Sequence, residues 1–401
     1  MVTQTQFSQR ITALEESATL GIAKKVRELK AAGRDVVGLT LGEPDFPTPA
    51  HIREAAKAAL DAGFTQYPPV AGIPELRQAI SAKFKRDNGL DYSPDQILVS
   101  TGAKQSLYNA ILSILNPGDG AILPAPFWVS YHGILYLAQA DISILPTTLA
   151  SGYKITPEQL EAAIQPHTRL FILCTPSNPT GSMYTREELA AIAEVLERHP
   201  QVYTIADEIY EYIAFDQPHV SLATFGNLYE RVVTVNGFAK GFAMTGWRLG
   251  YIGASKPIIE LCEKLQGQVT SGATSFSQKG GVAALNGDMS PTWAMRDEFR
   301  RRRDLVYASL KQIEGLEVNL PEGAFYFYPD LAAFLGRRAP NGTQIRDIEQ
   351  LCIYLLDEEG LAVVPGSAFG TDTHVRLSYA YSMEALDDAT ARMKRALEKL
   401  S

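Results

Sequence analysis

Seven short apolar runs spaced through the middle of the chain limit what it can fold into. They are Ile97–Ser100, Ala121–Leu123, Ile142–Leu145, Leu170–Cys174, Val202–Ala206, Val232–Val235 and Leu249–Ala254. Helical patterns such as Gln105–Leu115 and Arg186–Glu197 separate several of them. Unbroken apolar strands alternating with helices imply an α/β protein with a mostly parallel sheet sandwiched by helices, because only a strand buried on both faces drops the polar alternation. About seven strands are expected, one of them antiparallel. The carboxyl-terminal third reads differently. A helical pattern near Pro291–Ile313 leads into Gly323-Ala324-Phe325-Tyr326-Phe327 and then helix-rich sequence. The predicted organisation is an amino-terminal segment (1–45), a large domain (46–290), a connecting helix (291–313) and a smaller α+β domain (314–401) built from both chain ends.

Charge and composition exclude several classes of function. The formal net charge is −8, and no basic stripe is interleaved with aromatic residues, so no nucleic-acid partner is expected. Arg300 to Arg303 is flanked by Asp297, Glu298 and Asp304 and reads as a solvated helix face. No run reaches the ~20 apolar residues that cross a bilayer, and MVTQTQFSQR lacks a signal-like apolar stretch. Cys174, Cys262 and Cys352 are far apart and odd in number, which fits a reducing cytoplasm. The six histidines show no ligand spacing, so no metal is expected.

Open α/β sheets bind ligands just beyond the carboxyl ends of their strands, so those positions carry the chemistry. After Ile97–Ser100 comes Thr101-Gly102-Ala103-Lys104-Gln105-Ser106, a helix opening with free N–H groups suited to a phosphate. A nucleotide P-loop is excluded, since no Gly-Lys pair occurs. After Leu170–Cys174 comes Thr175-Pro176-Ser177-Asn178-Pro179-Thr180-Gly181, which places an amide at a strand end. After Val202–Ala206 comes Asp207-Glu208-Ile209-Tyr210, and an acid ending a buried strand needs a cation. After Val232–Val235 comes Asn236-Gly237-Phe238-Ala239-Lys240, with Arg248 eight residues on. Lys240 stands alone in an apolar loop, where desolvation and Arg248 should both lower its pKa and make the amine nucleophilic. A phosphate cup, an acid, a phenol, an amide and a buried amine form the set that pyridoxal phosphate requires.

At these residues the chain resembles the class I, fold type I aminotransferases, in their bacterial aspartate aminotransferase branch. The likeness runs from Leu39-Thr40-Leu41-Gly42-Glu43-Pro44-Asp45-Phe46, through Tyr67 to Arg77, to His374-Val375-Arg376-Leu377-Ser378-Tyr379. The resemblance implies a role for each matching position. Lys240 carries the cofactor through its amine, Asp207 pairs with the pyridine nitrogen, and Tyr210 and Asn178 bond the ring oxygen. Trp128 stacks on the ring; a plain core tryptophan is the alternative. Gly102, Ala103 and Arg248 hold the phosphate, with Lys104 beside them. Tyr67 reaches the phosphate of a second subunit, which implies a homodimer. Arg376, near Gly42 and Asn178, forks onto the substrate α-carboxylate. Cis peptides at Ala125–Pro126 and Asn178–Pro179 are also implied.

The sequence departs from the family in places that bear on substrate. No arginine lies in Gln266–Gln278, where animal-type enzymes place the one that holds a distal carboxylate, and Val269–Ala273 lacks a common proline. Lys104, with Ser17 and Thr19 as hydroxyl donors, is the remaining candidate for that carboxylate. Glu15 stands where relatives that accept prephenate are often basic. The implied reaction is a ping-pong exchange between L-aspartate and 2-oxoglutarate, with freed Lys240 moving the proton between Cα and the cofactor. The alternatives are an aromatic or broad-range aminotransferase, a β-lyase on the same fold, and a cofactor-sensing regulator. The last needs a DNA-binding domain that ~45 residues before Asp45 do not supply.

Overall fold

The computed structural model describes residues 7–14 and 18–401. Glu15 and Ser17 lie outside the described residues, and the side chain of Thr19 is not described either. Twelve strands are present among the described residues: β1 (Val37–Gly38), β2 (Ile97–Ser100), β3 (Gly120–Ala125), β4 (Asp141–Pro146), β5 (Thr168–Cys174), β6 (Tyr203–Asp207), β7 (Val232–Gly237), β8 (Gly250–Gly253), β9 (Tyr326–Phe327), β10 (Leu361–Ala362), β11 (Val364–Pro365) and β12 (Val375–Ser378).

Seven of them form the main sheet, in the order β2-β8-β7-β6-β5-β3-β4. All run parallel except β8, which is antiparallel to both of its neighbours. The seven apolar runs are these seven strands, and the one antiparallel strand is present as expected. The apolar runs persist because the inner strands are covered on both sides: β2, β7 and β8 are buried throughout. Phe171 and Leu173 face one core with Leu189 and Leu196, while Leu170 and Ile172 face another with Leu107 and Ile111. Burying each such side chain contributes roughly 1.5–3 kcal/mol. β4, at the edge, is largely exposed.

A third core, away from the main sheet, gathers Phe299, Val306 and Leu310 from the helix Ser290–Leu310 around Phe325, Phe327, Leu351, Val375 and Leu386. Its strands are β11-β12-β9, antiparallel, with β1 pairing β10 beside them.

The arginine run departs from its sequence reading. Arg300 and Arg301 are exposed, but Arg302 and Arg303 are 6% and 3% exposed. Arg302 pairs with Asp45 at 2.6 Å, and Arg303 with Asp216 at 2.5 Å. Four consecutive helical residues point almost all the way round the helix, so part of the run had to face inward. Once buried, those guanidinium groups require carboxylates.

The chain at Ala125–Pro126 and Asn178–Pro179 is cis, as expected, and so is Thr175–Pro176.

Candidate active site

The carboxyl ends of the parallel strands open into a cavity of about 330 Å³. The loop after β2 supplies Ala103 and Lys104, the turn after β3 supplies Trp128, and the turns after β5 and β6 supply Asn178 and Tyr210. Asp207 is the last residue of β6, and the loop after β7 brings in Lys240 and Arg248. Gly42 and Arg376 close the far side from the smaller core. Gly102 sits just behind Ala103. Tyr67 does not join this cavity; it is 95% exposed on the same chain.

The anion cradle has a clear local cause. The helix Ala103–Ile114 begins at Gly102 without a side-chain cap, so its first N–H groups stay available. Gly102 has φ +82°, and a Cβ there would lie 2.6 Å from the Arg248 guanidinium. Gly250 on β8 lets the helix approach the sheet, because a Cβ there would sit 2.2 Å from the Ala103 nitrogen. Arg248 itself is left-handed at φ 52°, which costs a residue with a side chain about 1–2 kcal/mol. Its guanidinium is aimed at the cradle by a 2.9 Å bond to the Thr245 carbonyl.

Asp207 is 3% exposed, and burial raises its pKa to about 6. Donation from the Tyr131 hydroxyl at 2.6 Å opposes that rise, as does the Ile209 N–H. Glu208 adds to the rise and Lys240 lowers it. The Lys240 amine donates to the Gly42 carbonyl and lies above the Tyr210 and Phe325 rings. Burial lowers its pKa to about 8; Arg376 adds to this more than Arg248 does, while Glu43 opposes. The sequence had pointed to Arg248 as the neighbouring cation.

Arg376 is 1% exposed. Its two terminal nitrogens donate to Asn178 Oδ1 at 3.1 Å and the Thr40 carbonyl at 2.8 Å, and the Tyr326 ring stacks 4.7 Å from its Cζ. Its Nε has no partner among the described residues. A buried guanidinium with a spare donor fits a carboxylate. The Lys104 side chain is exposed at the mouth, yet its ammonium lies 5.0 Å from the Trp128 ring. Partial desolvation, then repulsion from Arg248, lowers its pKa.

Two contributors escaped the sequence reading. Tyr131 lies one helical turn after Trp128, and that spacing is the only sequence signal for it. Tyr326, on β9, donates to or accepts from the Tyr210 hydroxyl at 2.8 Å and ties the smaller sheet to the cavity.

An uncapped helix start with an arginine, a buried acid at a strand end and a buried amine of lowered pKa together define a phosphate-cofactor enzyme on an open α/β sheet. The chain belongs to the class I and II aminotransferases, whose family model matches residues 34–393. It is 46% identical over 397 residues to an aspartate/prephenate aminotransferase of Cereibacter sphaeroides, covering 98% of this chain and 99% of that one. It is 43% identical over 398 residues to an aspartate aminotransferase of Bacillus subtilis, covering 99% and 100%. The solved aspartate aminotransferase of Rhizobium meliloti superposes with a TM-score of 0.95 at 42% identity, covering 99% and 100%. The cofactor of the class is pyridoxal 5′-phosphate. The cavity fits it, because it brings together the uncapped helix start at Gly102, the Arg248 guanidinium, the buried acid Asp207 and the Lys240 amine.

Proposed function

We propose that this chain is an aspartate aminotransferase that exchanges the amino group of L-aspartate with 2-oxoglutarate. The observation that carries the reading is Arg376. Arg376 lines the same cavity as Lys240, so a substrate carboxylate held by its guanidinium presents its Cα to the Lys240 amine. The relatives named for aspartate cover nearly the whole chain.

When bound, pyridoxal phosphate supplies the electron sink that lets a Cα–H bond break heterolytically. The chain's residues do the rest. Lys240 would hold the aldehyde end of the cofactor, and its amine, when free, would take the Cα proton as base and give a proton back as acid. An amine whose pKa sits at about 8 exchanges a proton near neutrality. Asp207 would pair with the pyridine nitrogen and favour its protonated form, and Tyr131 holds Asp207 by a 2.6 Å bond. Tyr210 and Asn178 would bond the ring oxygen, Trp128 would cover the ring face, and Gly102, Ala103 and Arg248 would hold the phosphate. Gly42 leaves room beside Tyr326, whose hydroxyl would be 2.5 Å from a Cβ at that position.

The protein acts as a homodimer in which Tyr67 of one subunit reaches the other's phosphate. Its exposure supports this, as does the groove that Arg248 shares with Arg53, Trp247 and Phe276. Three unpaired cysteines fit the cytoplasm. Several relatives also carry prephenate in their names. Glu15 puts an acid where relatives that accept prephenate are often basic, so 2-oxoglutarate rather than prephenate is the proposed acceptor.

Lys104, at the cavity mouth, is assigned the distal carboxylate, with Ser17 and Thr19 as hydroxyl donors. Lys104→Ala should raise the aspartate KM by about one to two powers of ten and spare alanine, since a charge-assisted hydrogen bond contributes about 1.5–3 kcal/mol. Equal losses for both amino acids would assign Lys104 to the cofactor or the fold.

A further inference from the structure

Two phenols meet at the wall of the cavity. Tyr210 stands in the turn after β6 and Tyr326 on β9, and both line the cavity. Their hydroxyl oxygens are 2.8 Å apart, and their rings cross edge to face at 5.8 Å. Tyr210 is 3% exposed and Tyr326 0%. Strand pairing accounts for the place of Tyr326. It lies opposite Ser378 on β12, and Arg376 is two residues from Ser378, so the alternation of a strand puts Tyr326 and Arg376 on one face of the smaller sheet. The Arg376 Cζ sits 4.7 Å from the centre of the Tyr326 ring. The Tyr326 hydroxyl also abuts the backbone at Gly42, where a Cβ would come within 2.5 Å of it. The arginine thus fixes the ring, while Gly42 and Tyr210 fix the hydroxyl.

The protons give the pair a direction. Burial raises the pKa of both phenols, Tyr326 to about 12 with Arg376 opposing the rise and Tyr210 well above its ordinary value, so both stay protonated. Each hydroxyl then carries one proton, and the bond between them uses one of the two. Neither hydroxyl has another hydrogen-bond partner among the described residues. If Tyr210 donated to Tyr326, the Tyr326 proton would be left over and Tyr210 would have none to offer the cavity. If Tyr326 donates to Tyr210, the Tyr210 proton is free for an acceptor bound in the cavity. Both buried protons are then used, and leaving a buried donor unpaired is costly. An acceptor beside Tyr210 therefore selects the second arrangement. A hydroxyl that accepts a hydrogen bond is also the stronger donor, because chained bonds polarise one another.

We propose that Tyr326 is a positioning residue for the ring-oxygen contact: its hydroxyl donates to Tyr210, which leaves the Tyr210 proton free for the ring oxygen and strengthens it as a donor. The proposal rests on the ring-oxygen role given to Tyr210 above. One side chain then serves both ends of the site, since the ring that backs Arg376 carries the hydroxyl that directs Tyr210.

The test follows the proton on the Lys240 nitrogen in full-length protein loaded with pyridoxal phosphate, read as the pH midpoint of the change in visible absorption. A donor on the ring oxygen draws negative charge away from that nitrogen, which then holds its proton less tightly, so weakening the donor raises the midpoint. Tyr326→Phe keeps the ring against Arg376 and deletes only the hydroxyl. The midpoint should rise by at least about 0.3 pH unit, a roughly two-fold gain in proton affinity. Tyr210→Phe should raise it further, and in that background Tyr326→Phe should leave it where it is. Equal shifts in both backgrounds would mean that Tyr326 acts without Tyr210, and would overturn the proposal. If Tyr326→Phe does not fold or load, replacing Tyr326 by 3-fluorotyrosine decides: its hydroxyl is the stronger acid, the midpoint must fall, and no fall overturns the relay. A midpoint unmoved in Tyr210→Phe takes Tyr210 off the ring oxygen and the relay with it. A midpoint raised in Tyr210→Phe but unmoved in Tyr326→Phe overturns the relay and leaves Tyr210 in its role.

Discussion

Asp207 carries a stability cost that depends on pH. Without a pyridinium, a carboxyl group that ionises at 3.8 in the open ionises at about 6 in the folded chain, because burial outweighs the Tyr131 hydroxyl. Between those values the folded state binds the proton more tightly than the unfolded one. The stabilising contribution of the protonated form is therefore complete below pH 3.8 and is lost as pH rises through 6. The difference amounts to something on the order of 3 kcal/mol. Denaturant titration of cofactor-free protein should show Asp207→Asn more stable than the wild type at pH 7, with the gap closing toward pH 4. A gap that does not change with pH would mean that Asp207 is solvated when the cofactor is away. At this scale the sequence was most legible where a polar group stood out against apolar neighbours, as Asp207 and Lys240 do. Tyr131 gave no such contrast: a tyrosine in the apolar helix Val129–Leu137 looks like any core aromatic until the acid it faces is known. Ser17 and Thr19 remain proposals, one outside the described residues and the other without a described side chain.

The elements were legible in proportion to their burial and length. The strands of the main sheet other than β4 showed as unbroken apolar runs because both their faces are covered. β1, β9, β10 and β11 span two residues each, too few to display a period, and went unread. Arg302 and Arg303 were misread because a run of like charges carries no information about which members face inward. The junction of β8 with the helix Ala103–Ile114 carries a prediction of its own. Gly250→Ala would place a Cβ 2.5 Å from the Gly102 carbonyl carbon and closer still to the Ala103 nitrogen, both backbone atoms that cannot swing away. The helix start must then shift off the sheet and take the phosphate cradle with it. Titration with pyridoxal phosphate should show affinity weakened by about ten-fold or more, in line with the loss of a charge-assisted hydrogen bond. Unchanged affinity in a folded variant would show that the cradle does not depend on this close approach.

Across the whole molecule, the site is assembled from two cores. Asp207, Lys240 and Arg248 stand at the ends of the main sheet, while Arg376 and Tyr326 come from the smaller one. The division into 46–290 and 314–401 with the first 45 residues is proposed on that basis, as is the second subunit that Tyr67 serves. No helix among the described residues is long and apolar enough to cross a membrane. Transamination of aspartate through Lys240 is read from the product stoichiometry. Full-length protein loaded with pyridoxal phosphate is given L-aspartate with and without 2-oxoglutarate, and every product is counted, with Lys240→Ala as the control. One oxaloacetate and one glutamate should form for each aspartate consumed, with no sustained turnover without the 2-oxo acid and none in the variant. Steady release of pyruvate and ammonia without an acceptor, or undiminished exchange by Lys240→Ala, would contradict transamination through Lys240.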